Sequence, residues 1–304
     1  MTTEIPYRRD FDFRYGAAET LSPLIRRVVA HNPSPFTFKG TGTYIVGRGT
    51  VAIIDPGPAL QSHVEALLDA VKGETVSHLV ITHTHLDHSP AAEAIKQATG
   101  AKTYGFGPHG SGRAEDRAVE LGAIEEGGDH DFSPDVKMRE GDTVSGPGWS
   151  LAAIETPGHT SNHLCFALAK EKTLFTGDHV MGWSTSVIAP PDGDMAAYRR
   201  SLEKLMRRDD ALYWPTHGPS IVEPKAHVAS FIAHRSERHA AIRAQLAAGD
   251  DTIPAIVAAV YAGLDPRLAK AAGRSVLAHL IEMVENGDAV ADRPPDLAAR
   301  YRLN

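Results

Sequence analysis

The sequence has a single cysteine, Cys165, among its 304 residues. An internal disulfide is therefore excluded, and so is a metal site built mainly from thiolates. The chain also lacks a run of about 18 consecutive apolar residues, the length that a membrane span requires. Its first ten residues are charged and do not resemble a signal peptide. These absences lead us to expect a cytoplasmic protein without a membrane partner, in which Cys165 is a core residue of an apolar strand.

An excess of positive charge is absent too. The chain has 31 Lys and Arg residues against 38 Asp and Glu residues, so a polyanionic partner would need a local basic patch. From Pro224 onward there are ten basic and nine acidic residues. On the helix predicted there, Arg235, Arg238 and Arg243 form either a modest anion-binding stripe or a solvated face paired with Glu237. The near balance of charge favours a small-molecule substrate over RNA and argues against a DNA-binding regulator.

Apolar periodicity predicts strands and helices up to about residue 223. Two of the strands flank Gly47-Arg48-Gly49, which is a hairpin signal. A nearly continuous apolar run over 78–82 is typical of a strand buried on both faces. Ser89 and Pro90 are then predicted as the N-cap and first residue of a helix. The predicted strands are 26–30, 43–47, 51–54, 78–82, 101–106, 136–138, 143–144, 150–155, 163–169, 173–176 and 211–214, and the predicted helices are 59–72, 90–97 and 195–207.

Two segments depart from this pattern. Residues 107–135 are rich in glycine and charge, with helical periodicity only around Arg113–Leu121. We interpret them as a long connection that acts either as a lid or as surface elaboration. After residue 223 the pattern predicts three helices, at 225–247, 252–262 and 266–286, followed by a short hairpin. This is the order of a winged-helix module, so we expect two domains, residues 1–223 and 224–304.

The predicted strand 78–82 leads into a dense group of potential metal ligands, His83-Thr-His85-Leu-Asp87-His88. Imidazole and carboxylate groups are good ligands for zinc and related divalent ions. Four ligands within six residues cannot all bind one tetrahedral ion and still leave a position open for chemistry. Two adjacent ions that share the group are the simpler solution.

Three more ligand types follow predicted strands in tight turns. They are His159 in Thr156-Pro-Gly-His-Thr160, Asp178 in Thr176-Gly-Asp-His179, and His217 in Pro215-Thr-His-Gly-Pro219. The neighbouring Gly and Pro residues fix abrupt turns, which can aim a side chain away from the edge of a sheet. Structural zinc sites are usually rich in cysteine, and no cysteine occupies a ligand position here. The seven residues therefore indicate a catalytic metal site.

In order and spacing, these motifs resemble the metallo-β-lactamase superfamily over residues 83–217. The resemblance implies an α/β fold of four layers, an αβ/βα sandwich of two mixed sheets with helices outside. It also implies two ions, one bound by His83, His85 and His159, the other by Asp87, His88 and His217, with Asp178 bridging them. The branch called β-lactamase-like protein 2 is a closer match. That match extends through Asn32–Gly47 and Ile221–Arg238 and includes a C-terminal winged helix.

By the same resemblance, Asp55 supports the ligands from an early turn. Two zinc ions, with iron or manganese as alternatives, would generate a bridging hydroxide. Asp178 would hold the ions at their spacing and Asp87 would orient the hydroxide, so both carboxylates would be catalytic. His163 and His179 are either substrate contacts or packed imidazoles beside the ligands. We expect the C-terminal module either to form one wall of the active site or to form a homodimer contact.

The resemblance leaves the substrate open. An aspartate at the position of Asp178 is typical of glyoxalase II-like thioesterases, lactonases and the nucleases of the superfamily, and it argues against a true β-lactamase. The nearest branch is associated with single-strand-specific endoribonuclease activity, whereas its fungal relatives are thioesterases. Sulfur dioxygenases, which bind one iron, also resemble this motif set. Together with the charge balance, this leads us to expect a dinuclear zinc hydrolase of a small ester or thioester, with an endoribonuclease as the main alternative.

Overall fold

Two β-sheets face each other in the computed structural model, which describes residues 4–113 and 127–304. In the first sheet the strands follow their order in the chain: β1 (Glu19–Thr20), β2 (Ile25–Val29), β3 (Gly42–Arg48), β4 (Thr50–Ile54), β5 (Thr75–Val80), β6 (Lys102–Gly105) and β7 (Val136–Lys137). In the second sheet the order is β12-β11-β10-β9-β8: β8 (Thr143–Gly146), β9 (Trp149–Glu155), β10 (Leu164–Leu168), β11 (Thr173–Gly177) and β12 (Leu212–Pro215). Both sheets are mixed, with parallel pairing from β4 to β7 and between β11 and β12.

Each sheet buries apolar side chains on both of its faces, because successive residues of a strand point to opposite sides. On β3, Tyr44 and Val46 join the core between the sheets, where they meet Phe166 and Phe175 of the second sheet. Ile45 points to the other side and belongs to the core beneath the helices. This double burial explains why the strand sequences are almost continuously apolar.

Helices cover the outer faces of both sheets. They are α1 (Gln61–Ala70), α2 (Ala91–Thr99), α3 (Met195–Met206), α4 (Pro224–Ala248), α5 (Ile253–Val260) and α6 (Ala269–Glu285), with short 3-10 turns at Ala169–Glu171 and Pro266–Leu268. Helices α1 and α2 contribute Leu67 and Ile95 to the core against the first sheet. Helices α3 and α4 contribute Leu202 and Phe231 to the core against the second sheet. The predicted four-layer αβ/βα arrangement is confirmed.

The C-terminal helices build a core of their own together with an antiparallel hairpin, β13 (Ala289–Ala291) and β14 (Tyr301–Leu303). The predicted order of three helices and a hairpin is therefore confirmed. Helix α4 serves both cores, because Phe231 packs against the second sheet while Ile242 and Leu246 pack with α5 and α6. A domain boundary at residue 223 stays a prediction. Of the helices in the described residues, none is both long and apolar enough to cross a bilayer.

Ser89 does not cap helix α2, contrary to the prediction. The helix starts at Ala91, Pro90 already has helical dihedral angles, and no side chain caps the first turn. The Ser89 hydroxyl instead donates to Asp129 Oδ2 at 2.6 Å. Pro90 therefore occupies the N-cap position, and the Ser89 side chain binds the Asp129 carboxylate in place of a helix N–H.

The connection over 107–135 is described only in part. Residues 114–126, and with them most of the predicted helical stretch Arg113–Leu121, lie outside the described residues. After this gap the chain pairs with the loop that follows β5: Leu86 N donates to Gly127 O and Asp129 N donates to Thr84 O, both at 2.8 Å. The end of the connection thus supports the segment that carries the predicted ligands.

The arginines of α4 do not form an anion-binding stripe. Arg235 is only 3% exposed and donates to the Ser186 carbonyl. Arg238 donates to the carbonyl of Val260 at 2.8 Å. Arg235 is covered by the long loop between β11 and α3, which carries Ser186. The spacing of residues along a helix does not indicate a contact with such a distant loop.

Candidate metal centre

The seven predicted ligands meet at one edge of the two sheets, on loops that follow the strand ends. The loop after β5 carries His83, His85, Asp87 and His88, and the loops after β9, β11 and β12 carry His159, Asp178 and His217. The glycine before His159 is essential to its loop. Gly158 has φ of +140°, and a Cβ there would lie 2.3 Å from the Tyr198 Cα. Only glycine allows the backbone to turn this close to helix α3.

One ligand group consists of three imidazoles. His85 Nδ1 lies 2.9 Å from His83 Nε2 and 3.2 Å from His159 Nε2. The remaining nitrogen of His159, Nδ1, donates to the carbonyl of Val187 at 2.6 Å. A carbonyl only accepts, so His159 carries its proton on Nδ1 and turns the Nε2 lone pair towards the other two rings.

The other ligand group consists of Asp87, His88 and His217. Asp87 Oδ2 lies 3.1 Å from His217 Nε2 and 3.5 Å from His88 Nε2. The outward nitrogens again face acceptors, because His217 Nδ1 lies 3.2 Å from the Gly40 carbonyl and His88 Nδ1 lies 2.9 Å from Asp55 Oδ2. Both rings therefore present Nε2 to the centre.

Asp178 lies between the two groups. Its Oδ2 is 3.4 Å from His217 Nε2 and 3.8 Å from His159 Nε2. Its Oδ1 is 3.6 Å from His88 Nε2. One carboxylate thus faces imidazoles of both groups, which is the position that a bridging ligand needs.

Divalent cations fit these residues. His88 Nε2 and Asp178 Oδ1 are buried and have no hydrogen-bond partner among residues 4–113 and 127–304. Buried polar atoms are normally paired, so an imidazole nitrogen and a carboxylate oxygen that face each other without a hydrogen bond indicate a site for a bound cation. The donor set of nitrogen and carboxylate oxygen, without thiolates, suits zinc, iron or manganese.

Burial keeps the first ligand group neutral. It lowers the pKa of His85 to about 3 and that of His83 well below its usual value, with help from the neighbouring imidazoles. The pKa of His159 is lowered for the same reason. Neutral imidazole is the form that binds metals, so these rings are ready to bind without losing a proton.

In the second group the carboxylates raise the pKa values of the imidazoles. Burial acts to lower the pKa of His217, but Asp178 and Asp87 outweigh it and raise the pKa to about 10. The same carboxylates raise the pKa of His88, and the imidazoles in turn hold the pKa of Asp178 well below its usual value. This part of the centre attracts positive charge, and a divalent ion that binds there would displace protons.

Asp55 supports the ligand loops, as the sequence suggested. It is 1% exposed, its Oδ1 accepts from Thr82 N, and its Oδ2 accepts from Thr82 Oγ1, both at 2.8 Å. Oδ2 also faces His88 Nδ1 and accepts from Thr216 Oγ1 at 3.2 Å. A single buried carboxylate therefore ties the loop after β5 to the loop after β12.

His163 and His179 lie behind the ligands as packed imidazoles. They are 1% and 0% exposed, so neither offers surface to a substrate. The ring of His163 stacks on the ring of His83, with centroids 5.1 Å apart, and its Nδ1 lies 2.8 Å from Thr156 Oγ1. Cys165 is fully buried, which confirms its expected place in the core.

Sequence reasoning missed several groups around the centre. The carbonyls of Gly40 and Val187 orient imidazoles, but a backbone acceptor has no residue-type signal. Thr41 Oγ1 donates to Asp87 Oδ2 at 3.1 Å. Thr41 lies in the stretch Asn32–Gly47 that carries part of the family resemblance, so its position was a usable signal.

Comparison with known proteins identifies the family. Residues 37–217 match the metallo-beta-lactamase superfamily, and residues 252–293 match the beta-lactamase associated winged helix domain. The beta-lactamase-like protein 2 homolog of Caenorhabditis elegans is 31% identical over 225 residues, which cover 72% of this chain and 70% of that protein. An atrochrysone carboxyl ACP thioesterase of Paecilomyces divaricatus is 29% identical over 223 residues, which cover 72% of this chain and 63% of that protein.

A solved structure supports the fold over the whole chain. The crystal structure of a beta-lactamase domain protein from Burkholderia ambifaria has a TM-score of 0.79 at 20% identity, and the match covers 99% of this chain and 97% of that chain. The superfamily match spans more than half of the sequence, and the match to the nematode relative exceeds 30% identity over 72% of this chain. This chain belongs to the metallo-β-lactamase superfamily of metal-dependent hydrolases and carries the winged-helix domain associated with it.

Proposed function

We propose that the centre binds two zinc ions and hydrolyses a small ester or thioester. The position of Asp178 carries this proposal, because its carboxylate faces imidazoles of both ligand groups. The ligands of one ion would be His83, His85 and His159, those of the other would be Asp87, His88 and His217, and Asp178 would contact both ions.

Divalent ions at such a centre supply Lewis acidity and allow a water molecule to ionise near neutral pH. The protein's own contribution begins with Asp87. Its Oδ2 is fixed by the Thr41 hydroxyl and faces His217 Nε2, both at 3.1 Å. Among the described residues no group donates a hydrogen bond to Oδ1, and the side chain is 25% exposed. Oδ1 can therefore orient a water molecule and accept its proton.

Apolar surface flanks the ligands and supports an apolar acyl group as substrate. Phe38 stacks on Trp183 with ring centroids 4.8 Å apart. Trp183 packs against Gly218, directly after the ligand His217, since a Cβ at Gly218 would lie 2.8 Å from its Cδ1. Leu86, in the loop after β5, is 53% exposed. These side chains are suited to a hydrocarbon or aromatic acyl chain rather than to a phosphodiester backbone.

A thioester is also favoured over RNA by two further observations. The relative from Paecilomyces divaricatus is named a thioesterase, which supports a thioester as the class of bond. RNA binding needs available cations beside stacking platforms. Arg235 is buried and Arg238 donates to a backbone carbonyl, so these two arginines do not offer their charge to a nucleic acid.

The test is a substrate panel with zinc-loaded protein. It contains thioesters with acetyl and aromatic acyl groups, the matching oxygen esters, a lactone, a β-lactam and single-stranded RNA. We expect the highest kcat/KM with thioesters or esters. Asp178→Asn should lower kcat at least about 100-fold, or about 2.7 kcal/mol. Asp135→Asn, a surface control of the same chemistry, should leave it unchanged. Trp183→Ala should raise KM for the aromatic thioester more than for the acetyl thioester.

Three results would overturn the proposal. RNA cleavage with thioester turnover at background would identify a nuclease. One iron per chain with oxygen consumption on a persulfide would identify a sulfur dioxygenase. Full turnover by Asp178→Asn with two metals still bound would refute the bridging role of this carboxylate.

A further inference from the structure

A second group of potential metal ligands lies away from the metal centre, where the two longest helices meet. It consists of His239 on α4 and of His279 and Glu282, which are three residues apart on α6. Glu282 Oε2 lies 3.5 Å from His239 Nδ1 and 3.9 Å from His279 Nδ1. One potential ligand atom from each of the three residues lies within 4.8 Å of the others.

The facing atoms are buried and unpaired. His279 is 0% exposed, and neither of its ring nitrogens has a hydrogen-bond partner in the part of the chain that the structure describes. His239 Nδ1 and Glu282 Oε2 are also buried, and no described residue forms a hydrogen bond with either atom. Leaving a buried polar group unpaired costs about 1–3 kcal/mol, so three such atoms pointing at one another indicate a group bound between them. A cation would engage all three atoms at once.

The protonation state of His279 fits a metal ligand. Burial, reinforced by the positive charge of Arg235, keeps the pKa of His279 well below its usual value, so the ring is neutral and can bind a metal. Arg199 NH1 lies 3.3 Å from Glu282 Oε1. Arg199 thereby fixes the carboxylate and leaves Oε2 directed at the two imidazoles, as an outer partner of a metal ligand does.

The spacing also fits a small ion with tetrahedral geometry. Zinc bonds of about 2.0–2.1 Å place neighbouring ligand atoms about 3.3–3.5 Å apart. The distance between His239 Nδ1 and Glu282 Oε2 is 3.5 Å. The distance between His279 Nδ1 and Glu282 Oε2 is 3.9 Å and needs only a small adjustment. Two imidazoles select a transition ion over Mg²⁺ and Ca²⁺, which prefer oxygen ligands.

We propose that His239, His279 and Glu282 form a separate binding site for a divalent transition ion such as zinc, with water as the fourth ligand. Three protein ligands and a water are also the ligand set of catalytic zinc sites, but here His279 is 0% and Glu282 is 7% exposed, so the ion links helices and does not receive a substrate. It ties α6 to α4, and through Arg199 it ties both to α3, which covers the second sheet. The metal thus fastens the C-terminal helices to the hydrolase fold. This proposal does not depend on the substrate of the metal centre.

The test measures zinc stoichiometry in the full-length protein. Metal-free protein is titrated with Zn²⁺ in competition with a chromophoric chelator, and bound zinc is counted by mass spectrometry after gel filtration. His239→Gln should lose one equivalent of zinc, with affinity for that equivalent at least about 100-fold weaker. Because His239 is 21% exposed, we expect this variant to fold. Its hydrolytic turnover should equal that of the wild type. His234→Gln, on the same helix but outside the group, is the matched control and should keep every equivalent.

A second variant and a second readout complete the design. Glu282→Gln preserves the shape of the side chain and should lose the same equivalent. Zinc should raise the thermal midpoint of the wild type by more than that of either variant, because this ion links α6 to the rest of the fold. The proposal is overturned if both variants bind as much zinc as the wild type with unchanged affinity. It is also overturned if the lost equivalent abolishes hydrolysis, since that ion would then belong to the metal centre.

Discussion

Replacing Asp55 by asparagine tests how the fold prepares His88 to bind a metal. The Asp55 carboxylate can only accept hydrogen bonds, and its Oδ2 lies 2.9 Å from His88 Nδ1. His88 therefore carries its proton on Nδ1 and directs the Nε2 lone pair into the centre. Asp55 also accepts from Thr82 N at 2.8 Å, which fixes the orientation of the carboxylate.

In Asp55→Asn the backbone strain is unchanged, because asparagine tolerates the φ of +48° found at this position. The amide oxygen will face the N–H of Thr82, so the amide NH₂ will face His88 Nδ1. That nitrogen must then accept, and the proton moves to Nε2, where it blocks the metal. Loss of such an outer partner weakens metal affinity about 10–100-fold, or about 1.4–2.7 kcal/mol.

Calorimetric zinc titration measures the affinity. Nitrogen NMR of the metal-free protein, at a pH high enough to deprotonate the His88 imidazolium, reports the tautomer of the neutral ring. Asp135→Asn is a matched control, because Asp135 Oδ2 accepts from Thr103 N at 2.9 Å and from Thr103 Oγ1 at 3.0 Å, without an imidazole partner. Zinc affinity should be unchanged in this control. If Asp55→Asn binds both ions as tightly as the wild type, or keeps the proton of His88 on Nδ1, the reasoning is refuted.

Three other predictions concern stability and reactivity. Burial lowers the pKa of His63 to about 4 from 6.5. Between these pH values the imidazole is protonated in the unfolded chain but not in the folded protein, so the free energy of unfolding should fall as the pH drops from 6.5 towards 4. This loss, up to about 3 kcal/mol, should be smaller in His63→Leu when urea unfolding is measured across that range. Burial raises the pKa of the Cys165 thiol to about 12, so iodoacetamide at pH 8 should label it only in urea. Gly158→Ala should lower the free energy of unfolding by about 2–5 kcal/mol, because its Cβ would collide with the backbone of Tyr198; a change below 1 kcal/mol would contradict this.

The main strands could be predicted from the sequence because their signal is local. The hairpin of β3 and β4 turns at Gly49, as its flanking apolar runs indicated. Strand β1 was missed because it is two exposed residues, Glu19 and Thr20, without any apolar pattern. Its existence depends on pairing with β2, which is a tertiary contact.

The convergence of the seven predicted ligand residues could be anticipated because chemistry and turn signals coincide at the strand ends. The errors arose where a distant partner decided the outcome. Ser89 has the residue type of a helix cap, but its hydroxyl donates a hydrogen bond to Asp129, forty residues later. Arg235 has the spacing of an exposed stripe, but the Ser186 carbonyl in a long loop holds it in the interior. Such contacts join segments whose separation in sequence conveys no periodicity.

The central claim is that two divalent ions bind where the seven ligands converge. Anomalous diffraction at the zinc edge, from crystals of zinc-loaded protein, tests it most directly. We predict two peaks in this cleft at bonding distances of about 2.0–2.2 Å. One should contact His83, His85 and His159, the other should contact Asp87, His88 and His217, and Asp178 should reach both. A cleft with one peak or none, and with the Asp178 carboxylate turned away, would contradict the account.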